Sequence, residues 1–301
     1  MSSRHIQQLA VAALATSGVL WGLMWMPLKH FAAQGLSGVS VTLVTYGALG
    51  VAALPWILRQ RAAWRGQGNL LALSGLSGGL SNLGFVTALM SGQVVRVMLL
   101  FYLAPAWAAL GGRLYLGERI TPLRSLAVAM AILGAFLVLG GPETFDAPAS
   151  LADALALAAG LFYAGQNLAA RAADRSPILT KTVCVFAGSG AVAGIAWLSG
   201  LGHVPQPTAP VIWQLAAFSV LWMTAAMWTT MYGVTHLEAA RAGVLLAFEL
   251  VAAVASAMLI GGEHLPPIGW AGAALITAAA VVQAHTQSGP RSEQAQPRVY
   301  P

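Results

Sequence analysis

The feature that most constrains this chain is a succession of ten apolar runs, at about 8–32, 38–58, 69–91, 93–115, 122–141, 150–172, 178–199, 211–234, 241–260 and 267–286. A helix crossing about 30 Å of hydrocarbon needs roughly 20 apolar residues, because each backbone N–H and C=O must find its partner within the segment. The separators carry glycine, proline or charge, as from Arg59 to Gly68, Gly140 to Ser150 and Gly202 to Pro210, which is how helix ends are punctuated. Only 8% of the 301 residues are charged and 58% are hydrophobic, whereas a soluble domain carries about 25% charged residues. The expected fold class is an all-α polytopic membrane protein of ten transmembrane helices, with the lipid bilayer as its partner. The first run is too long for a signal h-region, shows no convincing cleavage site, and reads as a retained helix. Residues 288–301 turn polar and proline-containing, so a disordered cytoplasmic tail is expected there.

A pI near 10.0 would suggest nucleic acid in a soluble protein, but the basic residues here sit in short gaps between apolar runs. Their work is orientation, and no nucleic-acid partner is expected. With the N-terminus cytoplasmic, that side receives Arg4; Arg59, Arg61 and Arg65; Arg113, Arg119 and Arg124; Arg171, Arg175 and Lys181; and Arg241, Arg291 and Arg298. Only Lys29 and Arg96 fall at the opposite ends, where the loops hold Glu143, Asp146 and Glu263. The asymmetry predicts both termini cytoplasmic and an even helix count.

The single cysteine, Cys184, lies inside an apolar run and supports neither a disulfide framework nor a cysteine metal cluster. The chain has no His and Asp cluster at metal spacing, no Gly-x-Ser-x-Gly and no phosphate-cradling loop in a suitable context, so no enzyme, metal or cofactor is expected. Gly188-Ser189-Gly190 sits inside a run and reads as packing. No ATP-binding motif appears, which leaves a gradient as the energy source.

The two halves repeat. A shift of 145 positions lays Arg96 on Arg241, Glu118 on Glu263 and Pro122 on Pro267, along with Leu100 on Leu245, Ala108 on Ala253 and Leu114 on Leu259. The alanine and leucine matches are cheap in this composition, whereas the Arg, Glu and Pro matches fall on scarce residue types. A shift of 142 lays Gly18, Trp21, Gly22 and Lys29 on Gly160, Tyr163, Ala164 and Arg171. Helices 1 to 5 (residues 1–141) therefore correspond to helices 6 to 10 (residues 142–287). An odd helix number per half sends the second copy in from the other side, as inverted repeats whose exchange of conformations exposes a central site to each face in turn.

Proline-bearing Tyr102-Leu103-Ala104-Pro105, followed at the helix end by Leu116-Gly117-Glu118-Arg119, and the second copy Gly261-Gly262-Glu263-His264 carry a family resemblance. Over about 8–286 the chain resembles the drug/metabolite transporter superfamily, in its ten-helix EamA-type branch. Leu250 stands where Pro105 has its counterpart, so the second copy is expected to be less kinked. The length, the Trp-Gly of helix 1 and the aromatic central segments are most similar to YddG-type exporters. The resemblance implies efflux of aromatic and other neutral amino acids across a bacterial inner membrane.

The expected substrate site is the midplane seam between the halves. Trp21 and Trp25 stand four apart on helix 1, opposite the repeat counterparts Tyr163 and Asn167. Tyr163, Gln166 and Asn167 form an i, i+3, i+4 set with one ring and two amides, a face suited to an amino acid. Asn82, Met98, Tyr102 and Trp222 complete the substrate-binding candidates with Glu249, beside Ser77, Ser81, Met223, Met227 and Trp228. Such π faces, thioethers and sparse polar groups resemble a small-molecule pocket, though aromatics in membrane helices also serve as packing and interfacial anchors. Glu249 is the one carboxylate near a helix centre. It reads either as a proton relay, or a counter-charge for exported hydrophobic cations, or as a structural group tied to a hydroxyl. The expected unit is a monomer.

Overall fold

The computed structural model describes residues 3–59, 64–116, 121–142, 150–202, 208–237 and 239–286. The expected tail at 288–301, the loop acids Glu143 and Asp146, and the Gly117-Glu118-Arg119 motif lie outside the described residues, as does the side chain of Arg241. Among the described residues no strand occurs. The helices are α1 (Ser3–Gly22), α2 (Trp25–Ala33), α3 (Gly38–Arg59), α4 (Gly68–Ser91), α5 (Val94–Phe101), α6 (Ala104–Leu116) and α7 (Pro122–Val138). After the first repeat follow α8 (Leu151–Ala172), α9 (Ile178–Ala196), α10 (Ala209–Ala217), α11 (Met223–His236), α12 (Ala239–Leu259) and α13 (Pro267–Thr286).

Three of these boundaries are breaks within longer rods. Pro27 and Pro105 each lack an N–H, so the backbone opens a few residues earlier, at Leu23–Met24 between α1 and α2 and at Tyr102–Leu103 between α5 and α6. α10 runs into α11 through a π turn at Phe218–Trp222, and α9 ends in another at Trp197–Leu201. α12, with Leu250 in place of a proline, runs unbroken over 21 residues.

Among the described residues, five helical stretches are long and apolar enough to cross a membrane: Ile6–Ala33, Gly68–Ser91, Val94–Leu114, Ile178–Leu201 and Ala209–Gly233. Apolar stretches of α3, α7, α12 and α13 are described over Gly38–Ala53, Ser125–Val138, Glu249–Leu259 and Pro267–Val282. α8 falls in neither group, because it carries Asp153, Gln166, Asn167 and Arg171 and packs along α4, α5 and α6 inside the bundle.

The repeat is visible in the packing. α4 packs on α8 as its counterpart α11 packs on α1, and α5 and α6 pack on α8 as α12 packs on α1. Three pairs of counterparts meet each other directly, α3 with α9, α7 with α13, and α5 with α12. Each pair runs antiparallel. Gly47 faces Gly190 while Gly50 faces Ala187; Gly141 faces Ile268 while Gly134 faces Gly272; and Glu263, past the end of α12, reaches the start of α5. The two halves therefore stand upside down relative to one another.

Close approach is obtained with glycine. A methyl group on Gly75 would come within 2.7 Å of the Cys184 carbonyl, and one on Gly79 within 2.6 Å of the Gly188 carbonyl, so α4 and α9 touch backbone to backbone. Gly22 gives α1 the same access to α12, where an added methyl would lie 2.9 Å from the Glu249 carbonyl oxygen. Such small-residue faces supply packing where apolar burial alone does not discriminate helix from lipid.

The two ends of the bundle differ. At the Lys29 end, the Lys29 ammonium donates to the Gly92 carbonyl at 2.6 Å and α2 lies against α4. The Glu263 carboxylate accepts the first two N–H groups of α5, Val94 at 2.7 Å and Val95 at 2.9 Å. These are orphan donors that no intrahelical carbonyl serves, and a carboxylate there also meets the positive end of the helix dipole. Arg96 forks onto Asp153 at 3.0 and 2.8 Å, while Asp153 and Ser150 cap α8 reciprocally. At the Arg171 end, Gln67 joins the α3–α4 connection to the α8–α9 connection, donating to Asp174 at 2.7 Å and accepting from Ser176 at 2.8 Å. That donation is the main reason the exposed Asp174 carboxyl titrates below its ordinary value.

Candidate functional site

The site is built on the break between α5 and α6. Pro105 cannot donate to the carbonyl of Phe101, so that carbonyl turns outward against Gly160 of α8, where a side chain would leave only 2.8 Å. Tyr102 closes α5 through its N–H to Met98 at 3.0 Å. The opened turn places the Phe101 and Tyr102 rings where α5, α8 and α12 converge.

Four polar groups meet there. The Tyr102 hydroxyl and the Glu249 carboxyl on α12 lie within electrostatic reach of one another. Tyr163, on α8, lies within electrostatic reach of both, with Asn167 one turn further along. The Phe101 ring centroid is 5.4 Å from that of Tyr163 and 4.4 Å from that of Phe85 on α4, giving an aromatic wall across α4, α5 and α8. Tyr163 keeps 40% of its surface accessible. Glu249 is the counterpart of Ala104 in the first repeat, and the cluster therefore sits where the repeat mates α5–α6 and α12 cross.

Such a seam site between counterpart helices is the architecture of a carrier, and the sequence comparison decides which. A profile of the EamA-like transporter family matches residues 8–140 and, a second time, residues 150–283. The chain belongs to the EamA-like transporter family. That places this transporter in the drug/metabolite transporter superfamily, among multi-pass membrane proteins that carry small metabolites and are not enzymes. No curated protein matches it. One solved structure, titled only "Crystal structure of protein", is similar at 20% identity over 93% of this chain and 97% of its own, with a TM-score of 0.55. At that identity the likeness shows the shared fold alone.

The EamA-like transporter brings Tyr102, Tyr163, Asn167 and Glu249 together, and the other expected site residues go elsewhere. Trp21 and Trp25 do not share a face, because the Leu23–Met24 break lies between them. Trp21 donates to Thr230 on α11 at 3.1 Å and buried Trp25 donates to Ser256 on α12 at 2.9 Å. Met98 is buried in the core. Asn82 joins α4 to α9 by donating to Ser189 at 2.9 Å, and Gln166 lies over Gly78, its carboxamide oxygen 2.7 Å from where a methyl would be. Trp222 stacks at a tilt on Phe218 beside a groove of about 540 Å³ lined by Met26, Pro27, His30 and Phe31, and its buried indole N–H has no partner. Ser81 donates to the Ala159 carbonyl, Met223 is buried, and Trp228 is on the outer surface at 70% exposure.

Phe85 and Phe101 were the members that sequence reading left out. Phenylalanine in an apolar run carries no distinguishing pattern. The usable signal for Phe101 was its place four residues before Pro105, where the backbone must open.

Proposed function

We propose that this transporter exports neutral and aromatic amino acids by alternating access, through a chamber between repeats spanning 1–141 and 142–287. In this reading all ten rods cross a bacterial inner membrane. The Arg171 end, which holds Arg65, Arg171, Arg175 and Lys181, faces the cytoplasm under the positive-inside rule, with both termini on that side. The carrier works as a monomer.

The observation that carries the reading is the crossing of two repeat mates at Tyr102 and Glu249, flanked by Tyr163, Asn167 and the Phe85–Phe101 wall. Apolar rings with a few convergent polar groups are what an amino acid with an aromatic or aliphatic side chain requires. The seam's position on the repeat axis is where alternating exposure acts most directly. The Lys29–Gly92 and Glu263–α5 contacts support a state closed at the Lys29 end.

Vesicles containing the purified protein are expected to accumulate labelled phenylalanine, threonine or methionine above empty vesicles. Tyr163→Ala and Asn167→Ala should each lower uptake about tenfold, as loss of one hydrogen-bonded contact worth about 1.4 kcal/mol would do, with no loss of folded protein. Uptake no greater than in empty vesicles refutes the substrate class.

A further inference from the structure

We propose that the groove between α2 and α10 holds one phospholipid, with its phosphate at the His30–Gln214 bond and an acyl chain along the rings below. This lateral site lies on the outside of the bundle and is independent of which solute is carried.

The first argument is shape. The groove, of about 540 Å³, takes one wall from the first repeat, Met26 to Phe31 of α2, and the other from the second, Gln214 to Trp222. The second wall includes the π turn at Phe218–Trp222, and such wide turns are often found at functional sites. The floor is aromatic: Phe31 and Phe218 are buried with centroids 5.6 Å apart, and Trp222 lies 6.4 Å from Phe218. The rim, Met26, Ala217 and Leu221, is exposed and apolar. An exposed apolar cleft between helices of a multi-pass membrane protein faces hydrocarbon, and lipid is what fills it. Gln214 and Trp222 are eight residues apart, about 12 Å at 1.5 Å per residue. One leaflet's share of the hydrocarbon is about 15 Å, so an acyl chain matches the groove in length.

The second argument is polarity. Gln214 Oε1 accepts from His30 Nε2–H at 2.9 Å, and a carboxamide so engaged keeps two N–H donors. Among the described residues no acidic side chain lines the groove. Phosphodiester oxygens, which are charged and only accept, complement such donors. Trp213, beside Gln214, is 75% exposed, and tryptophan gathers at the level of lipid headgroups. The donors therefore stand at the depth of a phosphate and the rings at the depth of a chain. A neighbouring cleft of about 330 Å³ between α3 and α10, lined by Leu43, Trp197 and Ala216, offers only the hydroxyl of Ser40, which is bonded to Ser37. It lacks the polar mouth.

The test is native mass spectrometry of the delipidated full chain in detergent, with three probes: dioleoylphosphatidylglycerol, dioleoylglycerol and glycerol 3-phosphate. Wild type should retain one phosphatidylglycerol, hold dioleoylglycerol at least tenfold more weakly, and leave glycerol 3-phosphate unbound. Ala217→Phe, which fills the groove, should abolish the phosphatidylglycerol adduct, while Ala216→Phe in the neighbouring cleft keeps it. His30→Ala combined with Gln214→Ala should bring phosphatidylglycerol down to the level of dioleoylglycerol. Equal retention of dioleoylglycerol overturns the proposal on wild-type protein alone, even if a variant fails to fold. So does glycerol 3-phosphate held as tightly as the lipid, which marks a site for free phosphate. An undiminished adduct on folded Ala217→Phe overturns it too, since the lipid then sits elsewhere on the surface.

Discussion

The carboxylate of Glu263, just beyond α12, accepts the backbone N–H of Val94, the first residue of α5, at 2.7 Å. One acid thereby joins the end of a helix in the second repeat to the start of its counterpart in the first. Glu263→Ala strips both Val94 and Val95 of their acceptor and removes a negative charge from the positive end of α5. The expected cost is about 1 kcal/mol, read as a lower melting temperature in detergent, with Glu263→Gln losing less. An unchanged melting temperature in both variants would show that water serves these donors equally well.

Lys29 holds α2 against the last turn of α4 through the Gly92 carbonyl. Removing a hydrogen bond to a charged group costs about 1.5–3 kcal/mol, and 1.4 kcal/mol is a factor of about ten in an equilibrium. In a Cys184→Ser background, a cysteine placed at buried Met90 should therefore react about tenfold faster with an impermeant thiol reagent when Lys29→Met is added. Equal rates would mean that the contact does not hold this end shut.

Helix contact through glycine makes a sharp steric prediction. A methyl group on Gly188 would overlap the Gly75 carbonyl, so Gly188→Val should cost about 1–3 kcal/mol by overpacking. Gly68→Ala is the control, since the nearest atom to an added methyl is 3.7 Å away on Trp64. Thermal melts of the two variants should separate clearly, the second matching or exceeding wild type.

Asp174 titrates below its ordinary value because Gln67 donates to it in the folded protein. A lowered native value means that this link stabilises above the unfolded value of 3.8 and is lost as pH falls through the native one. Wild type should exceed Asp174→Asn in melting temperature at pH 7, by a small margin because the group is exposed. That margin should vanish under strong acid. A margin independent of pH would point to packing in place of charge.

The repeat was legible in the sequence because its markers were rare. In a chain with few charges, the alignment of Arg96 with Arg241 and Glu118 with Glu263 stands above the background of alanine and leucine. Proline gave the opening of the α5–α6 rod, and Leu250 the continuity of α12. The partners of those charges were not legible. In the sequence Arg96 and Glu263 read only as charges at the ends opposite the basic gaps and as repeat markers, and that Arg96 finds Asp153 while Glu263 caps α5 depends on the inverted packing of the halves. Trp21 and Trp25 looked like one face because helical spacing assumes an unbroken helix. Pro27 breaks it, and each indole then follows its own neighbour, Thr230 or Ser256. The π turn at Phe218–Trp222 had no marker at all, since nothing distinguishes those residues from their apolar surroundings.

The interruption at Tyr102–Leu103 has no match in α12, and this inequality reaches beyond local shape. Were the halves interchangeable, facing one way would be the mirror of facing the other, and an empty carrier would divide its time evenly. Under the proposed alternating access, a hinged rod crossed with a stiff one lifts that degeneracy, so ligand would work against an intrinsic bias in one direction and with it in the other. In that proposal, the preferred idle orientation follows from the difference between Pro105 and Leu250.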